Sequence, residues 1–518
     1  RLPFDSEPLM TDNGSQSQES SPDGESQRSL TSRVVKSVGW VFAGKAFGRV
    51  LKLLQYVILA RLLAPKDFGL FGIVMLAIGT LQTFSKTGFH AALIQRRDDT
   101  EAFLDTAWTV QAVRGVVLGV LLYVAAPGVA AFFDEPRAPA LLRVMCISVM
   151  LGGLKNVGII YFRKELKFHK QVLYNCGTAL ISLIVAIVLA YRLHSVWALI
   201  WAGLAGSASG VLLSYLIHPF RPRLSLEPGR ARGLFSFGVW MLGTSIVVFI
   251  ATKLDDALVG KMLGAGALGL YQMAFRLSNT PATEITHVTN AVMMPAYARV
   301  QDQTARLRRG FLSVLEFTMS FCLPLTAFLV IAAPVVVEGL LGSGWQGAIV
   351  PLQILAFAGL FRAFAATFGP LFVGTGTPRN DFRMNLVRMF VLAATIYPLT
   401  ALWGLAGASL SVVLALMATC LAGMRALSIT RTSLKMVAGR LLPGLALAVP
   451  TAGAALFGLA LDLPGPVWSL VATTASVGGA FLLCAWLLGV LLKTGPFVYF
   501  RKALETIRLG RIAPASEK

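Results

Sequence analysis

Acidic side chains are scarce in this sequence. Only 25 Asp and Glu stand against 46 Lys and Arg, and the charged residues together make up 14% of 518. A soluble chain carries about 25% charge, so a water-soluble globular protein is excluded. Cysteine is equally rare, at five. Cys146, Cys176, Cys322, Cys420 and Cys484 all lie in apolar stretches, which argues against a disulfide framework and a thiolate metal site. No His/Cys/Asp cluster has metal-ligand spacing, and the sequence has no nucleophile motif or phosphate-cradling loop. No segment between the apolar runs is long enough for a catalytic domain. A membrane polymerase or ligase normally needs such a domain or an acidic metal site, so the chain is expected not to be an enzyme, with no catalytic residue, no metal and no cofactor.

What is abundant is apolar helix. Hydrophobic residues are 56% of the chain and mean hydropathy is +0.70. A spanning helix takes about 20 apolar residues. Fourteen segments qualify: 37–60, 67–88, 104–131, 138–161, 171–191, 195–219, 234–259, 267–292, 309–332, 349–373, 383–401, 403–425, 441–461 and 466–492. Residues 1–32 are polar and rich in Ser, Gln, Asp and Glu, the composition of a disordered tail.

A net charge of +21 would suggest nucleic acid in a soluble protein. Here the placement of the charge gives it another meaning, and no nucleic-acid partner is expected. Alternate loops carry Arg96 and Arg97, Arg163 to Lys170, Arg221 to Arg232, Arg299 to Arg309, Arg379, and Arg425 to Arg440. The intervening loops carry Arg61, Lys66, Arg137, Arg192 and Lys261. Loop Lys and Arg mark the cytoplasmic side, so both termini are expected there.

The second half of the sequence repeats the first. Trp40 recurs as Trp240, and Ala60 to Phe71 recurs as Gly260 to Tyr271 without a gap. Ala125-Ala-Pro127 recurs as Ala332-Ala-Pro334, and Val196-Trp-Ala-Leu199 as Leu402-Trp-Gly-Leu405. Six segments precede the repeat, so both halves enter the membrane in the same direction. The expected fold is all-α and integral to the membrane. About fourteen helices form two six-helix bundles related by a pseudo-two-fold along the membrane normal, plus two C-terminal helices. The expected domains are the tail 1–32, bundles 33–225 and 226–430, helices 431–492 and a cytoplasmic tail 493–518. Asp462 is the one ionisable residue between Arg440 and Lys493, so the last two helices read as lipid-facing additions.

Charges inside the apolar runs are costly, at about 2.5–3.5 kcal/mol for a mid-helix Lys or Arg. Lys45, Arg49 and Lys52, followed by Tyr56, fall within an arc of about 60° on the first helix. No acid on that helix pairs with the stripe. It reads as a cationic wall on a water-filled cavity, with snorkelling and internal ion pairs as the structural alternative. Segment 234–259 carries Lys253, Asp255 and Asp256. Lys253 and Asp256 are spaced to pair, which leaves Asp255 for a proton or cation, or for a lock between the halves. Segment 267–292 carries Arg276, Asn279, Glu284 and His287 around Thr280-Pro281. A proline there frees a backbone carbonyl in mid-membrane; a plain kink is the alternative. Arg114, Arg143, Arg362 and Arg388 are further mid-helix cations. The candidate substrate-binding set is Lys45, Arg49, Lys52, Tyr56, Arg114, Arg276 and Arg362. The candidate ion-coupling set is Asp255, Asp256 and Glu284, for H+ or Na+. Cations outnumber acids in the membrane, which favours an anionic passenger.

Three stretches carry a resemblance: Leu63-Ala-Pro-Lys-Asp-Phe-Gly69; Leu254-Asp-Asp-Ala-Leu-Val-Gly-Lys-Met-Leu-Gly264 with Leu268-Gly-Leu-Tyr271; and Gly344-Trp-Gln346 running into Pro351 to Leu360. They are similar to the Wzx-type flippases, the polysaccharide-transporter branch of the multidrug/oligosaccharidyl-lipid/polysaccharide (MOP) superfamily. The likeness covers roughly residues 34–425. It implies a bacterial inner-membrane protein that flips undecaprenyl-diphosphate-linked oligosaccharides to the periplasmic leaflet by alternating access with ion coupling. The passenger serves O-antigen, exopolysaccharide or capsule synthesis. The implied partners are the polyprenyl-diphosphate-linked oligosaccharide, membrane lipids and, as a candidate, the polysaccharide polymerase machinery. Helices 441–461 and 466–492 would flank a groove for the polyprenyl tail. Two rivals share the architecture. A cation/drug antiporter would want an acidic cavity, against the excess of cations. A lipid II flippase would share the cationic cavity, so charge does not separate it.

Overall fold

The computed structural model describes residues 44, 47–85, 101–164, 168–225, 228–461 and 463–491. Lys45, Trp40 and both tails lie outside the described residues, as does the side chain of His287. The described chain is helical throughout, and nine of its helices are long and apolar enough to cross a membrane. We label the elements α1 (47–62), α2 (Pro65–Phe84), α3 (Glu101–Phe133), α4 (Ala138–Gly153), α5 (Phe168–Leu193), α6 (Trp197–Ile217) and α7 (Pro228–Arg299). The second half continues with α8 (Thr304–Ile331), α9 (Ala333–Leu340), α10 (Ile349–Ala366), α11 (Phe368–Gly374), α12 (Pro378–Gly423), α13 (Arg425–Thr430), α14 (Leu434–Ala460) and α15 (Pro466–Leu491).

The helix breaks obey the sequence repeat. The chain leaves helical geometry at residues 63–64 between α1 and α2. It does so again at Gly264, where φ is 80°, splitting α7 into two limbs. Glycine takes that φ without the Cβ penalty. The junction before Trp197 likewise recurs as the break at Trp403–Gly404 inside α12.

The start of α2 shows why Leu63-Ala-Pro-Lys-Asp-Phe-Gly69 is spelled as it is. Pro65 opens the helix, where its missing N–H costs nothing. One Asp67 carboxylate oxygen accepts from the Ala64 amide at 3.2 Å, and the other accepts from the Val196 amide at 3.1 Å. Asp67 therefore caps α2 and pins it to the α5–α6 connection. Phe68 lies edge-on to Trp345, with centroids 5.2 Å apart. The Trp345 indole donates to the Ala60 carbonyl at 2.8 Å.

Gly69 and Gly269, repeat mates, let the two halves cross. A Cβ on Gly69 would overlap the carbonyl oxygen of Ala265, and one on Gly269 would overlap that of Pro65. Pro65 and Ala265 are also repeat mates, so the contact is reciprocal, as across a two-fold axis. Gly72 meets Gln272, its own repeat mate. The main hydrophobic core accordingly runs through both halves, from Leu59 to Leu416.

Further ties join the halves at the same end. Arg61 donates to the carbonyls of Gly339 and Leu340 at the end of α9, the latter at 3.2 Å. A cation suits a helix C-terminus. Lys261 pairs with Asp134 at 2.7 Å. All these ties lie at the arginine-poor end of the molecule. The last two helices, α14 and α15, pack on each other and on α8 and α9 respectively. Arg440 on α14 holds Glu316 on α8 at 2.6 Å.

Candidate functional site

Four of the sequence-predicted residues meet on one seam between α1 and the second limb of α7. The Arg49 guanidinium pairs with the Glu284 carboxylate. Two turns along, the Arg276 guanidinium stacks over the Tyr56 ring, 3.8 Å from its centroid. The helices run antiparallel here: 56 meets 276 and 49 meets 284. The acid that α1 lacks is therefore supplied by the other half of the chain. Lys52 is exposed on the same helix and makes no polar contact among the described residues. The seam carries Arg49, Lys52 and Arg276 against Glu284, a surplus of positive charge.

A second cluster lies within the second half. Lys253 pairs with Asp256 at 2.7 Å, as the i,i+3 spacing requires. Asp255 points elsewhere and accepts from the Tyr271 hydroxyl at 2.8 Å through Oδ2. Its Oδ1 is buried with no hydrogen-bond partner. A buried carboxylate oxygen left bare is costly. Arg362 of α10 and Arg388 of α12 are within electrostatic reach of this carboxylate. The Arg362 guanidinium also faces the Phe275 ring at 5.1 Å. Gln272 sits within hydrogen-bonding reach of Asp256.

The second limb of α7 carries contacts to both groups. Tyr271 reaches Asp255 and Phe275 lies under Arg362, whereas Arg276 and Glu284 face α1. The seam and the cluster thus share one helix, and Phe275 and Arg276 are adjacent in sequence.

Applying the repeat to the seam exposes an asymmetry. The repeat mates of Arg49 and Glu284 are Phe249 and Phe84; those of Tyr56 and Arg276 are Asp256 and Leu76. Leu76, Phe84 and Phe249 line a cavity of about 390 Å³ between α2, α3 and the first limb of α7. Its walls are apolar except for Thr80 and Lys253. One seam between the halves is thus charged and its repeat mate is greasy.

Arg114 stands apart from both groups. It donates to Ser85 Oγ at 3.0 and 3.2 Å and to the Gln82 carbonyl at 3.2 Å, inside the first half. No local spacing in the sequence marks Tyr271, Gln272 or Phe275 as members of the site. Tyr271 lies in the motif after Gly264, but its partnership with Asp255 spans sixteen residues and a helix break, which no local spacing signals. Arg388 was visible as an isolated cation without a partner.

A family model described as "Polysaccharide biosynthesis protein" matches residues 58–350, more than half of the chain. The teichuronic acid biosynthesis protein TuaB of Bacillus subtilis (strain 168) is 24% identical over 350 residues, 67% of this chain and 72% of that protein. The lipopolysaccharide biosynthesis protein WzxC of Escherichia coli (strain K12) is 23% identical over 374 residues, 71% of this chain and 75% of that protein. Among solved structures, the lipid II flippase MurJ in an inward closed conformation aligns with a TM-score of 0.71. It is 14% identical and covers 88% of this chain and 99% of its own. At that identity the likeness speaks for the fold alone.

Proposed function

Because the chain belongs to the polysaccharide biosynthesis protein family, and is a multi-pass membrane protein of the Wzx-type polysaccharide-transporter kind, we propose that it flips undecaprenyl-diphosphate-linked oligosaccharide repeat units across the bacterial inner membrane. It works as a transporter, not an enzyme, in surface polysaccharide synthesis. The observation that carries the reading is the charged seam between the halves, where Arg49, Tyr56, Arg276 and Glu284 meet.

In this account twelve of fourteen helices form two six-helix bundles about a pseudo-two-fold, with two C-terminal helices added and with the arginine-rich loops and both termini in the cytoplasm. The reciprocal Gly69–Ala265 and Gly269–Pro65 contacts support that axis. The ties at the arginine-poor end then close the periplasmic side. The diphosphate enters from the cytoplasm and competes with Glu284 for Arg49, with Lys52 and Arg276 adding charge. Arginine and lysine suit phosphate for this purpose. The apolar seam between α2 and the first limb of α7 offers the polyprenyl chain a dry path.

Coupling runs through Asp255. A proton or Na+ at its bare Oδ1 neutralises the carboxylate, which weakens the Tyr271 hydrogen bond at Oδ2 and the hold of Arg362 and Arg388. The second limb of α7 carries that change to Glu284 and hence to Arg49. Lipid II as the passenger is the second reading, consistent with the likeness in fold to the lipid II flippase MurJ; it would use the same diphosphate contacts.

Binding of undecaprenyl-diphosphate-linked oligosaccharide to the purified protein in nanodiscs tests the site. Removing one charge-assisted contact costs about 1.5–3 kcal/mol, so Arg49→Ala is expected to weaken binding at least tenfold. Equal binding by wild type and Arg49→Ala would overturn the site.

A further inference from the structure

Arg114 belongs to a separate pocket. Gln82, Gln111, Arg114 and Lys155 line a cavity of about 320 Å³ between α2, α3 and the end of α4. Its volume is at the low end of the small-molecule range of about 300–1,000 Å³. Among the described residues its lining lies wholly in the first half, and none of it is acidic.

The backbone around Lys155 is held on both sides. The Gln111 amide donates to the carbonyls of Gly153 and Lys155 at 3.1 and 3.3 Å. The Asn156 backbone amide donates to Ser214 Oγ at 3.0 Å, and its side chain donates to the Phe220 carbonyl at 2.8 Å. A close glycine contact forms part of the pocket wall. Gly115 and Gly153 let α3 and α4 touch, a Cβ on Gly115 falling 2.8 Å from the Gly153 Cα.

The charges this scaffold brings together are not spent. The Lys155 ammonium makes no hydrogen bond or ion pair among the described residues. Arg114 uses Nε and Nη2 on Ser85 and Gln82, which leaves Nη1 without a partner among them. Two half-buried cations, in a cavity with carboxamides and no acid among the described residues, call for an anion with several acceptor oxygens. The pocket opens off the arginine-rich end, since Lys155 follows α4 directly and Gln82 lies in the last turn of α2.

We propose that this pocket binds a phosphate-class anion, supplied either as free phosphate or as the headgroup of an anionic phospholipid, separate from the passenger's seam. The anion bridges α2, α3 and α4 and neutralises Arg114 and Lys155.

The test is thermal unfolding of the full chain in nanodiscs. Inorganic phosphate is titrated into phosphatidylcholine discs against sodium chloride of matched ionic strength. In parallel, phosphatidylcholine discs are compared with phosphatidylglycerol discs, and retained lipid is read by native mass spectrometry. A saturable rise in Tm with phosphate identifies the free anion. A rise only in phosphatidylglycerol discs, with one phosphatidylglycerol retained, identifies the lipid. In either arm Lys155→Gln is expected to raise the midpoint concentration, or cut lipid retention, at least tenfold, whereas Arg49→Ala keeps the response. Arg114→Gln should act like Lys155→Gln. Should Arg114→Gln fail to fold, because it also loses its bonds to Ser85 and Gln82, Lys155→Gln alone decides. No rise with either probe, or a response unchanged in Lys155→Gln, would overturn the site.

Discussion

Arg49 on α1 pairs with Glu284 on the second limb of α7, across the junction of the two sequence halves. Both side chains keep substantial exposure, 40% and 31%. That partial exposure leaves the pair open to exchange of partners. Arg49→Ala is therefore expected to insert and melt like wild type while abolishing polysaccharide export. Glu284→Gln leaves Arg49 without its counter-charge. It should bind the lipid-linked diphosphate more tightly and turn over more slowly. Looser binding by Glu284→Gln, measured in nanodiscs, would contradict competition between Glu284 and the diphosphate.

Asp255 accepts from Tyr271 with one oxygen and holds the other bare. Asp255→Asn is expected to lose the dependence of transport on an imposed H+ or Na+ gradient while still binding lipid-linked sugar. Tyr271→Phe frees the carboxylate and should shift the ion dependence without removing it. Transport by Asp255→Asn that still follows the gradient would take Asp255 out of the coupling role.

Gly69 and Gly269 each face a carbonyl of the other half with no room for a methyl group. Overpacking of this kind costs about 1–3 kcal/mol. Gly69→Ala and Gly269→Ala should lower Tm by similar amounts, since the contacts are reciprocal. Gly264→Ala strains a φ of 80° instead and should lower Tm without touching the crossing. A tolerated Gly69→Ala beside a damaging Gly269→Ala would argue against the local two-fold.

Gly79 faces Phe249 beside the apolar cavity, with a Cβ-to-ring distance of 3.4 Å. Gly79→Leu pushes a side chain into that space. It should weaken binding of the full polyprenyl carrier at least tenfold and leave binding of a short-chain diphosphate sugar unchanged. Equal losses for both ligands would place the effect in the charged seam instead of a path for the chain.

The sequence announces its helices well because a spanning segment needs a long apolar run, and the repeat announces where they break. The break at 63–64 predicts the one at Gly264, and the one before Trp197 predicts Trp403–Gly404. The Lys253–Asp256 pair follows from helical spacing alone. What joins helices distant in sequence is less legible. Nothing local marks Glu284 as the partner of Arg49, or Tyr271 as the partner of Asp255. Arg114 looks on the sequence like Arg276 or Arg362, an isolated cation in an apolar run. Only the packing of α3 against the end of α2 separates it from them. Lys155 is hidden differently: it sits at the end of an apolar segment, where a lysine ordinarily snorkels to water.

The most direct measurement is deletion of the gene in its native host, complemented with wild type or Arg49→Ala, followed by analysis of undecaprenyl-linked lipids and surface polysaccharide. The account predicts lipid-linked oligosaccharide accumulating on the cytoplasmic leaflet and polymer lost outside, rescued by wild type and not by Arg49→Ala. An unchanged lipid pool with altered sensitivity to cationic drugs would contradict it.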